Sequence, residues 1–208
     1  MNYIQNILIS QQKSAGKFNF LIIPSSLIEF KNIETTLGKT KSSREIFSFN
    51  GTLEIQKKDN ICAFCGKKMH VNKRRTTKLR HLPFGRTLSR VEFERIQFFC
   101  THCKRTSMQE IPFKADNHFI TTVLEQYTKD LLASNAYTLK QVAELTGVGK
   151  NTVKAIDNRR LNNLYTIDGE TLIKPEKHAK FLGIDEFKLH HGHQYATHVI
   201  DFQTGHVL

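Results

Sequence analysis

No apolar run in this chain approaches the ~20 residues that a bilayer-spanning helix needs. The longest, Phe20–Pro24, is a short strand's worth. The N-terminus also lacks the basic stretch and small-residue cleavage site of a secretory signal. Tryptophan is absent and cysteine is scarce, at four residues in 208. These absences argue against membrane and secreted proteins. The expected compartment is the cytoplasm, where thiols stay reduced. A hydrophobic content of 39% is lean but sufficient for small cores, so wholesale disorder is excluded.

Acidic residues are scarce in one place above all. Residues 57–105 carry 14 basic and only 3 acidic side chains, whereas the chain as a whole has 31 Lys and Arg against 19 Asp and Glu. One basic block on an otherwise nearly neutral frame is the charge pattern of a polyanion-binding protein.

The organisation changes along the chain. Residues 1–48 read only as short apolar runs between polar patches and carry no sharper assignment. Residues 49–113 alternate apolar and polar positions (Thr52–Ile55, Val91–Phe99) between turns expected at Asn50-Gly51 and Pro83–Arg86, which is the pattern of strands. From about residue 116 the period becomes helical: Phe119, Val123, Leu124, Tyr127, Leu131 and Leu132 predict a first helix. Thr138 with Gln141 predicts a capping box opening a second, with Leu139, Val142, Ala143 and Leu145 as its buried face and Gly147 as a left-handed residue beyond it. A third helix is expected from about Lys150 to near Arg160, burying Val153 and Ile156. Residues 162–180 read as a polar linker with a turn at Asp168-Gly169. Phe181–Phe187 and Tyr195–Phe202 then read as two strands, followed by a turn at Gln203–Gly205 and the start of another strand at His206–Leu208. The fold class expected is therefore α+β and multidomain.

The sharpest chemical signal is Cys62-Ala-Phe-Cys65 with Cys100-Thr-His-Cys103. Two CxxC pairs supply four thiolates to one tetrahedral ion, each pair forming a knuckle and the insertion a small antiparallel sheet. Structural zinc is the expected cofactor. The competing reading, two buried or redox-active pairs, has less support because a dithiol enzyme needs only one. His102 is spare with four thiols present.

The basic block lies inside this module. Lys73, Arg74, Arg75, Lys78 and Arg80 are its centre, expected to contact DNA phosphates rather than merely to solvate a face. The segment 116–161 has helix-turn-helix spacing. Lys150, Asn151, Thr152 and Lys154 fall on the first turns of its third helix, from which base edges are reached, with Arg159 and Arg160 suited to the backbone. The partner expected is double-stranded DNA. In the final hairpin, Asp185 is an acid between apolar neighbours, while Glu186 faces the other way. A loop centred near residue 191 places Asp185 opposite about Thr197 and leaves Asp201 four residues further along, as a structural or turn-capping acid. His190, His191 and His193 are expected to be solvent-exposed loop residues.

Taken together these parts resemble the bacterial insertion-sequence transposases that carry a zinc finger, a helix-turn-helix and an aspartate–aspartate–glutamate core. The resemblance runs from Asn50-Gly51-Thr52-Leu53 through Cys62–Cys65, Arg80-His81-Leu82-Pro83 and Gln97-Phe98-Phe99-Cys100 to Leu182-Gly183-Ile184-Asp185-Glu186-Phe187 and Gly192-His193-Gln194-Tyr195-Ala196. It implies a β-rich, four-cysteine zinc ribbon at 49–113 and a three-helix DNA-binding domain at 116–161. It also implies the first hairpin of a ribonuclease-H-like catalytic domain at 181–208. By the same resemblance Asp185 is the first carboxylate of a triad that holds two Mg²⁺ ions, and the two preceding modules bind terminal inverted repeats.

Only 28 residues follow position 180, too few for such a core. The expectation is thus the DNA-binding portion of a transposase, without catalysis by itself. Its origin is a frameshift, a premature stop or a split gene completed by another chain. Homo-oligomers belong to the family picture. A zinc-ribbon transcriptional regulator is the third reading, though it leaves Asp185 without a use.

Overall fold

The computed structural model describes residues 28–34, 45–53, 55, 58–173, 179–189, 192, 194–203 and 205. The fold is α+β and divides into two compact units, Met1–Asp157 and Asn158–Leu208. No helix among the described residues is long and apolar enough to cross a membrane.

The first unit begins with a five-stranded sheet. Its strands are β1 (Ile28–Glu34), β2 (Ile46–Leu53), β3 (His70–Phe84), β4 (Thr87–Phe99) and β5 (Thr106–Met108), in the order β1-β2-β4-β3 with β5 also on β4. The stretch between the cysteine pairs is the long antiparallel hairpin β3–β4, turned at Gly85, whose positive φ glycine adopts most readily. Strand β2 lies parallel to β4, from Ile46 opposite Leu88 to Thr52 opposite Glu94.

Because side chains alternate along a strand, β4 serves two cores from opposite faces. Val91 and Phe93 join Leu53, Leu79, Ile111 and Phe113 in one buried cluster. Ile96 and Phe98 join Met69, Cys62 and Cys100 in another.

Three helices follow: α1 (Thr122–Ala133), α2 (Leu139–Thr146) and α3 (Lys150–Tyr165). Thr121 caps α1 by accepting the Leu124 N–H, and its hydroxyl also meets buried His81 Nδ1 at 2.9 Å. One side chain thus ties the first helix to β3. The Thr138–Gln141 capping box is formed at α2. The helices pack through Leu124, Leu132, Val142, Val148, Val153 and Ile156, with Leu82 of β3 against the same cluster.

Gly147 ends α2 in the left-handed region, at φ +68°. A Cβ there would lie 2.5 Å from a methyl of buried Leu88 on β4. Gly147→Ala is therefore expected to cost about 2 kcal/mol, from left-handed strain plus displacement of Leu88. Thermal melting checks it, and an unchanged midpoint would show that the contact relaxes freely.

Several expectations are corrected. Asn50-Gly51 is not a turn but lies inside β2, where pairing on both sides overrides the local turn preference. Strand β1 and the first three residues of β2 lie within the segment that carried no assignment, and β2 runs across residue 48. Phe119 precedes α1 and is exposed, as is Tyr127. In α2 it is Thr146, not Leu145, that is buried. Helix α3 continues past Arg160 to Tyr165, and the expected linker holds its last turns and a hairpin.

That hairpin belongs to the second unit: β6 (Thr166–Ile167) and β7 (Thr171–Leu172), turned at Asp168-Gly169, both with positive φ. A second hairpin pairs β8 (Leu182–Lys188) with β9 (Tyr195–Asp201). Asp185 stands opposite His198 rather than Thr197, and Leu182 opposite Asp201. The one-residue difference in register turns Asp201 to the face away from Asp185. There Asp201 is buried and accepts the Gln203 N–H at 3.0 Å, a turn-capping acid. His190, His191, His193 and the segment His206–Leu208 lie outside the described residues.

Candidate metal centre and nucleic-acid interface

Each cysteine pair sits on a tight turn followed by a left-handed residue: Gly66 (φ +66°) after Cys65, and Lys104 (φ +56°) after Cys103. Main-chain bonds close the turns, from Gly66 N–H to Cys62 O (2.9 Å) and from Cys100 N–H to Arg105 O (2.8 Å). The turns bring all four sulfurs within 4.8 Å of one another. Cys62 Sγ lies 3.3 Å from Cys103, and Cys65 lies 3.6 Å from Cys100 and 3.8 Å from Cys103. Four thiolates about 2.3 Å from a central ion would be separated by about 3.8 Å, so the set fits one tetrahedral metal.

The four thiols shift in opposite directions, Cys62 and Cys100 down and Cys65 and Cys103 up. N–H groups of Phe64 and Cys65 hold the Cys62 thiol down to about 6, and the Cys103 N–H lowers Cys100. Cys103 is pushed up to about 12, because it serves as proton donor to Cys62 and Cys100. The backbone stabilises some negative charge, but four thiolates need a cation among them. All four cysteines are free of disulfide bonds. His102 is not part of the group.

The basic residues project from the hairpin that this cluster anchors. Their pairing sorts them. Glu92 on β4 is shared by Lys78 (2.9 Å) and Arg90 (2.5 Å), and Glu94 lies 3.5 Å from Arg74 in an exposed pair. Among the described residues Lys73, Arg75 and Arg80 make no ion pair. The ladder also sets Arg75 opposite Arg95 and Arg80 opposite Arg90. Like charges directly across a ladder destabilise a sheet, and a bound polyanion relieves that cost.

Sequence reasoning missed Arg95, whose Nε donates to Gln109 O, and missed the neutralising part of Glu92 and Glu94. Alternating Arg90, Glu92 and Glu94 was the available signal. Near the cysteine cluster, Arg105 lies 3.6 Å over the ring of exposed Phe64.

On α3, Lys150, Asn151 and Lys154 are exposed and Thr152, Arg159 and Arg160 half-buried. Asp185 is exposed on β8, and its carboxylate accepts the Glu186 N–H at 2.9 Å. The described residues bring no second carboxylate to its face of the hairpin. The structure thus joins the four cysteines and puts Lys73 and Arg75 on one face of β3 and Arg74, Lys78 and Arg80 on the other, but among the described residues builds no acidic cluster around Asp185.

No family model and no solved structure matches the chain. Among curated proteins, the chain is similar to the transposase for insertion sequence element IS1001 of Bordetella parapertussis, 27% identical over 143 residues. The match covers 68% of this chain and 33% of the relative, so the chain spans about a third of the length of the protein it matches. A distant relative is thus an insertion-sequence transposase.

Proposed function

We propose that this chain binds double-stranded DNA as the end-recognising part of an insertion-sequence transposase. Zinc held by Cys62, Cys65, Cys100 and Cys103 staples a ribbon over 49–113, and the three helices of 116–161 act as a helix-turn-helix. The carrying observation is the set of β3 cations that make no ion pair among the described residues, Lys73 and Arg75 on one face and Arg80 on the other, with like-charged arginines across the ladder. A transposase relative supports the choice of DNA as polyanion. Lys73, Arg75 and Arg80 would hold phosphates, and Lys78 and Arg74 would contribute less because carboxylates already serve them. Lys150, Asn151, Thr152 and Lys154 would face base edges, with Arg159 and Arg160 toward the backbone. Zinc contributes folding, not chemistry. The setting is the bacterial cytoplasm.

A second, compatible reading takes β8–β9 as the first hairpin of a larger ribonuclease-H-like sheet. It is favoured by the large apolar side chains that the hairpin exposes, Phe181, Ile184, Phe187 and Phe202 among them. Asp185 alone does not hold a pair of Mg²⁺ ions, and no cleavage step rests on it here.

The test is fluorescence anisotropy of the zinc-loaded chain with duplexes copied from the ends of the element that encodes it, against scrambled duplexes, over a salt series. The logarithm of affinity should fall linearly with that of salt, and the end sequence should bind about 10³-fold or more tightly than scrambled DNA. Asp185→Ala should leave both affinities unchanged. Absence of duplex binding even at low salt would sink the proposal.

A further inference from the structure

The sheet and the helices of the first unit meet at Arg80. Its main chain is held on both sides: the N–H donates to Phe119 O at 3.0 Å and the carbonyl accepts the Thr121 N–H at 2.9 Å. The next residue, His81, is buried against Thr121. With its backbone fixed, the half-buried Arg80 side chain lines a cavity of about 370 Å³, whose other walls include His118, Phe119, Gly147, Gly149 and Thr152.

No carboxylate lines this cavity. The nearest acid along the hairpin, Glu92, already serves Lys78 and Arg90. Arg80 Nη1 is out of solvent and has no hydrogen-bond partner. Burial, and then the like charge of Arg90 across the ladder, lower its pKa. A guanidinium held in this way is costly in the free protein, and an anion with several acceptor oxygens is what offsets it.

We propose that the cavity seats one phosphate group of the DNA backbone, gripped by Arg80 between β3 and the first turn of α3. The proposal rests on the DNA-binding reading above and deepens it. Arg80 is then not one more cation on an exposed face. It fixes where α3 sits along the duplex, because phosphate contacts set register while base contacts specify sequence. His118, which lines the same cavity, carries a ring N–H that offers a further donor to the group.

The experiment compares the full-length, zinc-loaded protein with Arg80→Met by thermal melting, with and without inorganic phosphate, and by anisotropy with duplex DNA. Without phosphate the variant should melt at the wild-type temperature or above, since a half-buried guanidinium with an unpartnered, buried N–H is gone. The phosphate-induced rise seen in the wild type should vanish, duplex affinity should fall about tenfold, and the salt slope should shrink by about 0.9. A variant that melts lower while phosphate still raises its midpoint makes Arg80 structural and overturns the proposal.

If the wild type binds duplex and the variant matches it in affinity and slope, the cavity holds no backbone phosphate, though DNA binding stands. If the wild type binds no duplex, the DNA reading itself fails. An Arg80-dependent response to inorganic phosphate would then assign the cavity to a free small anion, overturning the backbone source. Should Arg80→Met not fold, Thr152→Glu decides. A carboxylate at position 152, lining the same cavity, should pair with Arg80, raise the melting temperature and abolish the phosphate response; a retained response refutes the seat.

Discussion

Serine at position 62 should release the metal and unravel one end of the sheet while the other end stays folded. Structural zinc in finger peptides contributes about 10–16 kcal/mol, as much as the whole stability of a small domain. The cluster around it, Met69, Ile96 and Phe98 against the cysteines, is too small to replace that. The second cluster on the opposite face of β4, around Leu79, Val91 and Phe93, has no cysteine in it and packs on Ile111 and Phe113 instead. Cys62→Ser should therefore leave the protein with no bound zinc, and hydrogen exchange should show lost protection over 61–69 and 96–108 with retained protection at Leu79 and Val91. A chelator should reproduce the pattern in the wild type.

Acid acts in the same direction. A thiol whose folded pKa is depressed to about 6, as for Cys62, contributes stability that is fully present above its ordinary value near 9 and fades as the pH falls toward 6. Bound metal extends that range downward. A Cys62→Ser protein with full zinc stoichiometry and an unchanged melting curve would refute the four-thiolate centre.

What the sequence made legible was whatever is written in local spacing. The CxxC pairs, the Thr138–Gln141 box, Gly147 and the Asp168-Gly169 turn each depend on residues within a few positions, and each has its expected geometry. What failed depends on a distant partner. Asn50-Gly51 has a turn's composition, yet β1 and β4 on its two sides hold it extended, and β4 is forty residues away. The register of β8–β9 turned on a loop whose length the sequence does not fix, and one residue of slip put Asp201 on the other face.

The basic block was legible as charge but not as function. Glu92 and Glu94 look only like neighbours of Arg90 and Arg95 in the chain; Glu92 does pair with Arg90, but the ladder also brings Glu92 to Lys78 and Glu94 to Arg74 on the facing strand. Only that pairing separates the cations that are spoken for from those that are not.

This separation gives the second large effect. Removing Lys73 and Arg75 together, as Lys73→Gln with Arg75→Gln, should weaken binding to every duplex by about a hundredfold near 0.1 M salt and flatten the salt slope by about 1.8, two phosphates at about 0.9 each. Arg74→Gln and Lys78→Gln, whose positive charge is already balanced by Glu94 and Glu92, should each cost several-fold less. An exposed ion pair is weak, and the carboxylate left behind repels the backbone, so neither should be silent.

Stability should move the other way from affinity in the double variant. Arg75 faces Arg95 across the ladder, and taking one of two like charges away should hold or raise the melting temperature. A merely structural strand would lose stability and binding together. If the double variant keeps its slope and loses only one duplex sequence, Lys73 and Arg75 read bases. The row of cations would then be a specificity surface and not a phosphate clamp.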